Sequence, residues 1–268
     1  MDDLSLKQFT SMNAAADVTG YVRALEAFDG IEQLQELKAI ARRRSGVTPG
    51  CSVLDVGCGF ALETLRLATM VAPGGRVAGI DKSIDFIGEA RKRAAAKGLQ
   101  IDFRVGDAEH LPYTDGSFDC VRAERLLIYL ENPARAVREM KRVARPGGRI
   151  AIIEPDFSTT TVNLPDRSAV RRALAHETDT AVVTSWLPGP LRDILIELDL
   201  ADIRIDTRVL IFPQGLAATY FSGVGNHAAA AGALTEGEQE EWLAGIAERE
   251  AAEQLFGTVG YFLFTARV

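Results

Sequence analysis

Cysteine is scarce and unpaired. Cys51, Cys58 and Cys120 make an odd set with no close pair, which excludes a disulfide framework. Histidine is equally sparse: His110, His176 and His227 are scattered, no Cys/His spacing resembles a zinc site, and no metal is expected. No apolar run approaches the roughly 18 residues of a membrane span. The richest short run, Leu126 to Leu130, suits a single strand or helix face. A basic excess is missing too. Thirty Lys and Arg against 37 Asp and Glu give a net charge of −7, which argues against a nucleic-acid partner. Arg42-Arg43-Arg44 and Arg171-Arg172 read as solvated helix ends or faces. Met1-Asp2-Asp3 lacks the basic start and apolar core of a signal peptide, so the expected location is cytoplasmic.

What remains is an ordinary globular composition, 47% hydrophobic and 25% charged over 268 residues, without repeats or low-complexity blocks. The first 45 residues carry a helical pattern in Ile31, Leu34, Leu37, Ile40 and Ala41. From residue 51 short strands alternate with helices. Strands are expected over 52–56, 76–80, 101–105, 118–123 and 149–154, with helices from Leu62, from the Ser83 cap to about Lys97, and over 134–144. Pro73-Gly74-Gly75 and Pro146-Gly147-Gly148 mark turns. This alternation implies right-handed βαβ units and a parallel sheet covered on both faces. Helices are expected over 166–178 and 189–198 and strands over 203–212 and 258–268. Thr235-x-x-Glu238 is a capping box opening a helix to Leu255. The glycine- and alanine-rich 213–234 gives no clear pattern.

The chemistry concentrates at Val53-Leu54-Asp55-Val56-Gly57-Cys58-Gly59, where the first strand meets its helix. Glycines there allow a sharp turn and close approach of a ligand, and the helix N-terminus offers unpaired N–H groups. A carboxylate and a phosphate suit that turn equally. Three further features narrow the choice. Leu62 occupies the third position of the dinucleotide Gly-x-Gly-x-x-Gly fingerprint. Asp55 ahead of the glycines repels a pyrophosphate and suits an ammonium group. Asp81 closes the second strand, 26 positions after Asp55, where an acid commonly accepts from two ribose hydroxyls. A ribose, a cation and a carboxylate without phosphate describe S-adenosylmethionine.

Four blocks in order carry a resemblance: Val53 to Gly59; Gly79-Ile80-Asp81; Gly106-Asp107-Ala108-Glu109-His110-Leu111-Pro112-Tyr113 with Gly116-Ser117-Phe118-Asp119; and Arg145-Pro146-Gly147-Gly148-Arg149. The chain resembles the class I S-adenosylmethionine-dependent methyltransferases, in the group that includes the ubiquinone/menaquinone-biosynthesis methyltransferases. The resemblance implies an α/β, Rossmann-like, doubly wound seven-stranded sheet, mostly parallel with an antiparallel last strand, behind a helical N-terminal extension. That extension (1–46) would act as a lid, with Phe9 and Tyr21 on it. The methyltransferase domain (47–268) would carry acceptor-side insertions near 155–185 and 213–255. At matching positions, Asp55, Gly57 and Gly59 would line the methionine moiety, with Thr64 a further candidate. Asp81 would hold the ribose, beside Lys82. Asp107 and the Ala108 N–H would meet the adenine, and Glu124 would lie near the reacting methyl.

The implied reaction is in-line methyl transfer to O, N or C of a small-molecule acceptor, releasing S-adenosylhomocysteine. A base is needed only if the attacking atom starts protonated. Candidates are His110, Glu154, Asp156, His176 and His227, and Arg125 could bind an acidic acceptor or pair with Glu124. Tyr129 stands where many relatives carry histidine, and Trp186 and Trp242 read as core or rim. The sequence allows a homodimer. Two competing readings are an S-adenosylmethionine binder that acts as a regulator or catalyses another reaction, and a nicotinamide-dependent dehydrogenase. Leu62 and Asp55 count against the second.

Overall fold

A computed structural model describes residues 18–268. Phe9 lies outside the described residues, and of Tyr21 only its place in the first helix is described. That helix, α1 (Val18–Asp29), precedes α2 (Glu32–Arg44). In α2, Leu34, Leu37 and Ala41 are buried at helical spacing, and Arg42, Arg43 and Arg44 fill the last turn, where cations complement the helix C-terminus.

The sheet begins with β1 (Ser52–Val56), which pairs in parallel with β2 (Arg76–Asp81) on one side and β4 (Phe118–Glu124) on the other. β2 pairs in parallel with β3 (Asp102–Val105), and β4 with β5 (Ala144–Val162). The strands β6 (Ala201–Ile211) and β7 (Gly257–Arg267) complete the order β3-β2-β1-β4-β5-β7-β6. The Val268 N–H donates to Gly148 and the Asn163 N–H donates to Phe256, so β7 runs antiparallel to β5. The Phe212 N–H, just past the end of β6, donates to Gly257 at the start of β7, so the last two strands are antiparallel as well.

The crossover helices α3 (Leu62–Val71), α4 (Ile84–Ala96) and α5 (Pro133–Val143) join the parallel strands. Each begins or packs as its residues dictate. The Ser83 side chain accepts the Phe86 N–H and Asn132 accepts that of Arg135, the N-cap pattern that satisfies otherwise orphaned donors. Ala136, Val137, Met140 and Val143 line one face of α5 and are wholly buried, each contributing about 1–3 kcal/mol. Val53, Leu67, Val71, Val77 and Cys120 pack on one side of β1, and Cys58, Ala61, Leu65, Ile87 and Phe103 form a second cluster.

Two expectations change. β5 is not a six-residue strand after a turn; it runs from Ala144 to Val162 and takes in Pro146-Gly147-Gly148. The register explains this: Phe118 faces Ala144 but Cys120 faces Arg149, so the extra residues form a bulge, with Gly147 at φ +76°. The unassigned stretch after 213 holds a helix, α8 (Leu216–Ala230). The helices α6 (Arg167–Thr180), α7 (Pro188–Glu197) and α9 (Glu236–Ala251) fall close to their expected places. Thr235 and Glu238 form the reciprocal capping box.

The chain divides into two compact units. One holds residues up to Gln35, Pro155–Trp186 and Arg208–Tyr261; the other holds Glu36–Glu154, Leu187–Thr207 and Phe262–Val268. In the first, the buried Trp242 donates from Nε1 to the Phe221 carbonyl (2.8 Å), and Phe212, Tyr220 and Phe221 make ring contacts at 5.0–5.2 Å. Trp186 is exposed. Among the described residues, no helix is long and apolar enough to cross a membrane.

Candidate functional site

The second unit contains the glycine turn. Gly57 and Gly59 hold φ of +70° and +52°, left-handed values that side chains rarely adopt. A Cβ on Gly57 would sit 2.9 Å from Leu126 Cδ1, whereas one on Gly59 would meet nothing within 4 Å. Gly57 is therefore fixed by packing, and Gly59 faces open space. The N–H groups of Gly57 and Cys58 both donate to the Ile80 carbonyl (2.8 and 3.0 Å), which ties the turn to the end of β2. Ala61, itself at φ +73°, gives α3 no side-chain cap. The first-turn N–H groups of that helix are thus available to an anionic group such as a carboxylate.

Asp81 stands at the end of β2. Its Oδ2 accepts the Gly59 N–H (2.8 Å) and its Oδ1 accepts the Ser83 N–H (2.9 Å). Burial raises its pKa, while these backbone donors pull it back. Each oxygen keeps a lone pair, so the carboxylate is aimed and still able to accept two hydroxyls. Lys82 beside it is exposed. Asp107 begins a turn in which its Oδ1 accepts the Glu109 N–H (2.9 Å), and Ala108 is buried next to it.

Below the turn lies a buried charge network that the sequence did not reveal. Arg122 on β4 donates from Nη1 to Asp55 Oδ1 (2.7 Å) and from Nη2 to Glu124 Oε2 (2.6 Å). Lys38, from α2, reaches Glu124 Oε1 at 2.9 Å, and its side chain is 3% exposed. Thr64 is fully buried and donates to Asp55 Oδ2 (2.6 Å); any effect it has on a ligand passes through Asp55. Burial raises the Asp55 carboxyl against the pull of Arg122 and Thr64. Burial would raise Glu124 as well, but Lys38, Arg122 and Arg125 outweigh it and hold that carboxyl at about 2. Arg125 pairs with Glu124, Nε to Oε1 at 3.7 Å. Two acids thus face two buried cations, with Arg125 beside them, so the floor carries no excess of negative charge.

Glu154, at the end of the parallel part of β5, is completely buried. Its Oε1 accepts the N–H groups of Leu126 (3.1 Å) and Leu127 (2.8 Å), while Oε2 has no hydrogen-bond partner among the described residues. Burial pushes its pKa up to about 8, against those two backbone donors. Glu154 therefore carries its proton at neutral pH and braces the turn after β4, where Arg125 sits at φ +48°.

The other base candidates each meet a different partner. Asp156 Oδ1 accepts from the Ser158 N–H and hydroxyl (3.0 and 2.5 Å), a local turn. His110 Nε2 contacts Arg135 Nη2. His176 lies 3.4 Å from Thr180 Oγ1 on its own helix. His227 Nδ1 on α8 lies 3.6 Å from Oε2 of Glu177 on α6, a carboxylate whose side chain is 3% exposed. Sequence reading missed Glu177, Lys38 and the Arg122–Asp55 pair because the partners meet across elements distant in the chain; the Arg122–Glu124 pair is local, two positions apart on β4.

A glycine turn tied to β2, an acid at the β2 end with acceptor capacity to spare and this strand order make a Rossmann-like α/β crevice. Comparison with known proteins gives the family. Residues 47–190 match the methyltransferase domain family. An uncharacterized 37.1 kDa protein in transposon TN4556 of Streptomyces fradiae is 31% identical over 270 residues, all of this chain and 75% of that protein. The ubiquinone/menaquinone biosynthesis C-methyltransferase of Hahella chejuensis is 36% identical over 157 residues, 58% of this chain and 60% of that protein. The [4+2]-cyclase SpnF has a similar structure, with a TM-score of 0.54 and 25% identity over 87% of this chain and 81% of that one. The chain belongs to the S-adenosylmethionine-dependent methyltransferase family. It spans about half to three fifths of the named methyltransferases it matches.

The residues present fit that cofactor. Gly59 leaves room, the α3 N-terminus offers donors to a carboxylate, and Asp81 keeps acceptor capacity for a ribose.

Proposed function

We propose that this chain transfers a methyl group from S-adenosylmethionine to O, N or C of a small-molecule acceptor by in-line displacement. The observation that carries the reading is the Asp81 carboxylate held by the Gly59 and Ser83 N–H groups beside an open glycine turn. When bound, the cofactor supplies an already reactive sulfonium methyl. The protein's residues then bind, orient and exclude water. Asp81 takes the ribose hydroxyls, and Asp107 and Ala108 take the adenine. The α3 N-terminus receives the carboxylate, while Asp55 and Glu124, held by Arg122 and Lys38, form a rigid floor. Orientation of this kind is worth about 7–11 kcal/mol of barrier.

Where the acceptor begins protonated, the base is one of His110, Asp156, His176 and His227, and substitution of each in turn by alanine, read as loss of kcat, separates them. The segments near 155–185 and 213–255 are taken as the acceptor-recognition parts of the chain, and a lid role for 1–46 would not extend to α2, whose Lys38 is anchored on Glu124. Release of S-adenosylhomocysteine with a panel of small-molecule acceptors tests the reading. Tight cofactor binding with no turnover across broad panels would favour the other reading, a cofactor-binding protein with a different activity. The likeness to a [4+2]-cyclase keeps that second reading in play.

Asp81→Ala is expected to weaken S-adenosylhomocysteine binding by about 1–3 kcal/mol, because two hydroxyls lose a charged acceptor. Calorimetric titration of the folded variant checks this, and an unchanged dissociation constant would remove Asp81 from the ribose.

A further inference from the structure

An open surface depression of about 370 Å³ lies between the turn after Asp107 and α5, lined by Glu109, His110, Leu111, Arg135, Arg138 and Glu139, with His110, Arg135 and Arg138 exposed. Its volume lies at the lower end of the range for small-molecule sites, about 300–1,000 Å³. The charges around it are unevenly committed. Glu139 is fully engaged: its Oε2 accepts the Leu111 N–H (2.9 Å) and Arg142 Nη2 (2.7 Å), and its Oε1 accepts Arg142 Nε (2.8 Å). Glu109 holds only a long contact, 4.0 Å from Arg135 Nε. Arg138 has no hydrogen-bond or ion-pair partner among the described residues. Arg135 Nη2 donates to His110 Nε2, so the imidazole holds that guanidinium in place.

Such a grouping is out of character for the chain. The protein carries a net −7, yet α5 bears Arg135, Arg138, Lys141 and Arg142 against the single acid Glu139. A solvated basic helix face would leave its arginines splayed over a convex surface. Here two of them, with a histidine, border a concave space above the buried Leu111. A planar carboxylate is satisfied by one guanidinium fork. Two forks three residues apart on one face of α5, one of them steadied by His110, suit a tetrahedral oxyanion with several acceptor oxygens.

We propose that this depression is an anion site for a phosphoryl group, carried by a small metabolite or as free phosphate, with Arg138 and Arg135 as its donors and His110 steadying Arg135 and reporting on occupancy. Glu109 sets a limit on it, favouring an anion that also offers a hydrogen-bond donor. The site lies in the unit that contains Asp81 and does not depend on the acceptor reading, since it concerns a ligand other than the cofactor and its acceptor.

The test follows the His110 ring resonances by NMR at constant pH and ionic strength. Inorganic phosphate and glycerol 3-phosphate are titrated separately, with chloride as control. Saturable shifts are expected with at least one of the two phosphates and not with chloride. Tighter binding of the ester assigns the site to a metabolite, and equal binding assigns it to free phosphate. Arg138→Gln, at an exposed position that leaves the fold intact, is expected to raise the dissociation constant about 10-fold or more. Linear shifts that chloride reproduces would overturn the proposal, as would saturable binding unchanged in Arg138→Gln. The readout needs no cofactor and no acceptor, so its failure is separate from any failure of methyl transfer.

Discussion

Arg122→Met is expected to destabilise the protein by about 3–5 kcal/mol, because it leaves two buried carboxylates without their shared cation. Arg122 bridges Asp55 at 2.7 Å and Glu124 at 2.6 Å, with only 8% of its own side chain exposed. Lys38 still faces Glu124, so the larger part of the loss falls on Asp55, which retains only the Thr64 hydroxyl. Urea denaturation measures the effect. The triple variant Arg122→Met, Asp55→Asn, Glu124→Gln should recover much of the loss, since it removes the orphaned charges together with the cation. A single-variant loss below about 1 kcal/mol would be the value of a surface pair and would show that the network does not hold the floor.

Glu154→Gln should change the pH dependence of stability rather than the fold. The folded-state pKa of Glu154 is about 8, above the ordinary 4.5. Below about pH 4.5 both folded and unfolded chains carry the proton, and its contribution is fully present. Between there and about pH 8 the unfolded chain releases the proton while the folded chain keeps it, so stability falls as pH rises. Over that window the loss amounts to about 3–5 kcal/mol. Glutamine mimics the protonated side chain, keeps an acceptor for the Leu126 and Leu127 N–H groups, and has no proton to lose. The variant should therefore lack this component of the slope and be the more stable protein near pH 8. Denaturation midpoints at a series of pH values check this; parallel curves for the two proteins would contradict it.

Local chemistry in this chain was legible from sequence, and long-range pairing was not. Gly57, Gly59, Asp81 and the Ser83 cap act within a few residues of one another or at the ends of neighbouring strands, so their spacing announces them. In sequence, Asp55 reads as a carboxylate suited to an ammonium group. Its partner Arg122 lies 67 positions away on a different strand, and nothing in the spacing marks the pair. Lys38 belongs to a helix whose apolar positions are regular, so a lysine there reads as solvent-facing; only the folded chain places it against Glu124. The helix α8 escaped notice for a different reason. Gly223 and Gly225 weaken its intrinsic propensity, but the Gly225 position lies so near Trp242 that a Cβ would come within 2.4 Å of Cδ1. Tertiary packing requires the small residue that local propensity penalises. The long β5 hides in the same way, because a bulge carries Pro146-Gly147-Gly148 within the strand where the sequence suggests a turn.

The most direct test is calorimetric titration of the folded protein with S-adenosylhomocysteine and, separately, with a nicotinamide dinucleotide. A glycine turn open at Gly59, with Asp81 aimed beside it, predicts saturable heat at one site per chain for the first ligand and none for the second. Saturable heat with the dinucleotide, and none with S-adenosylhomocysteine, would contradict it.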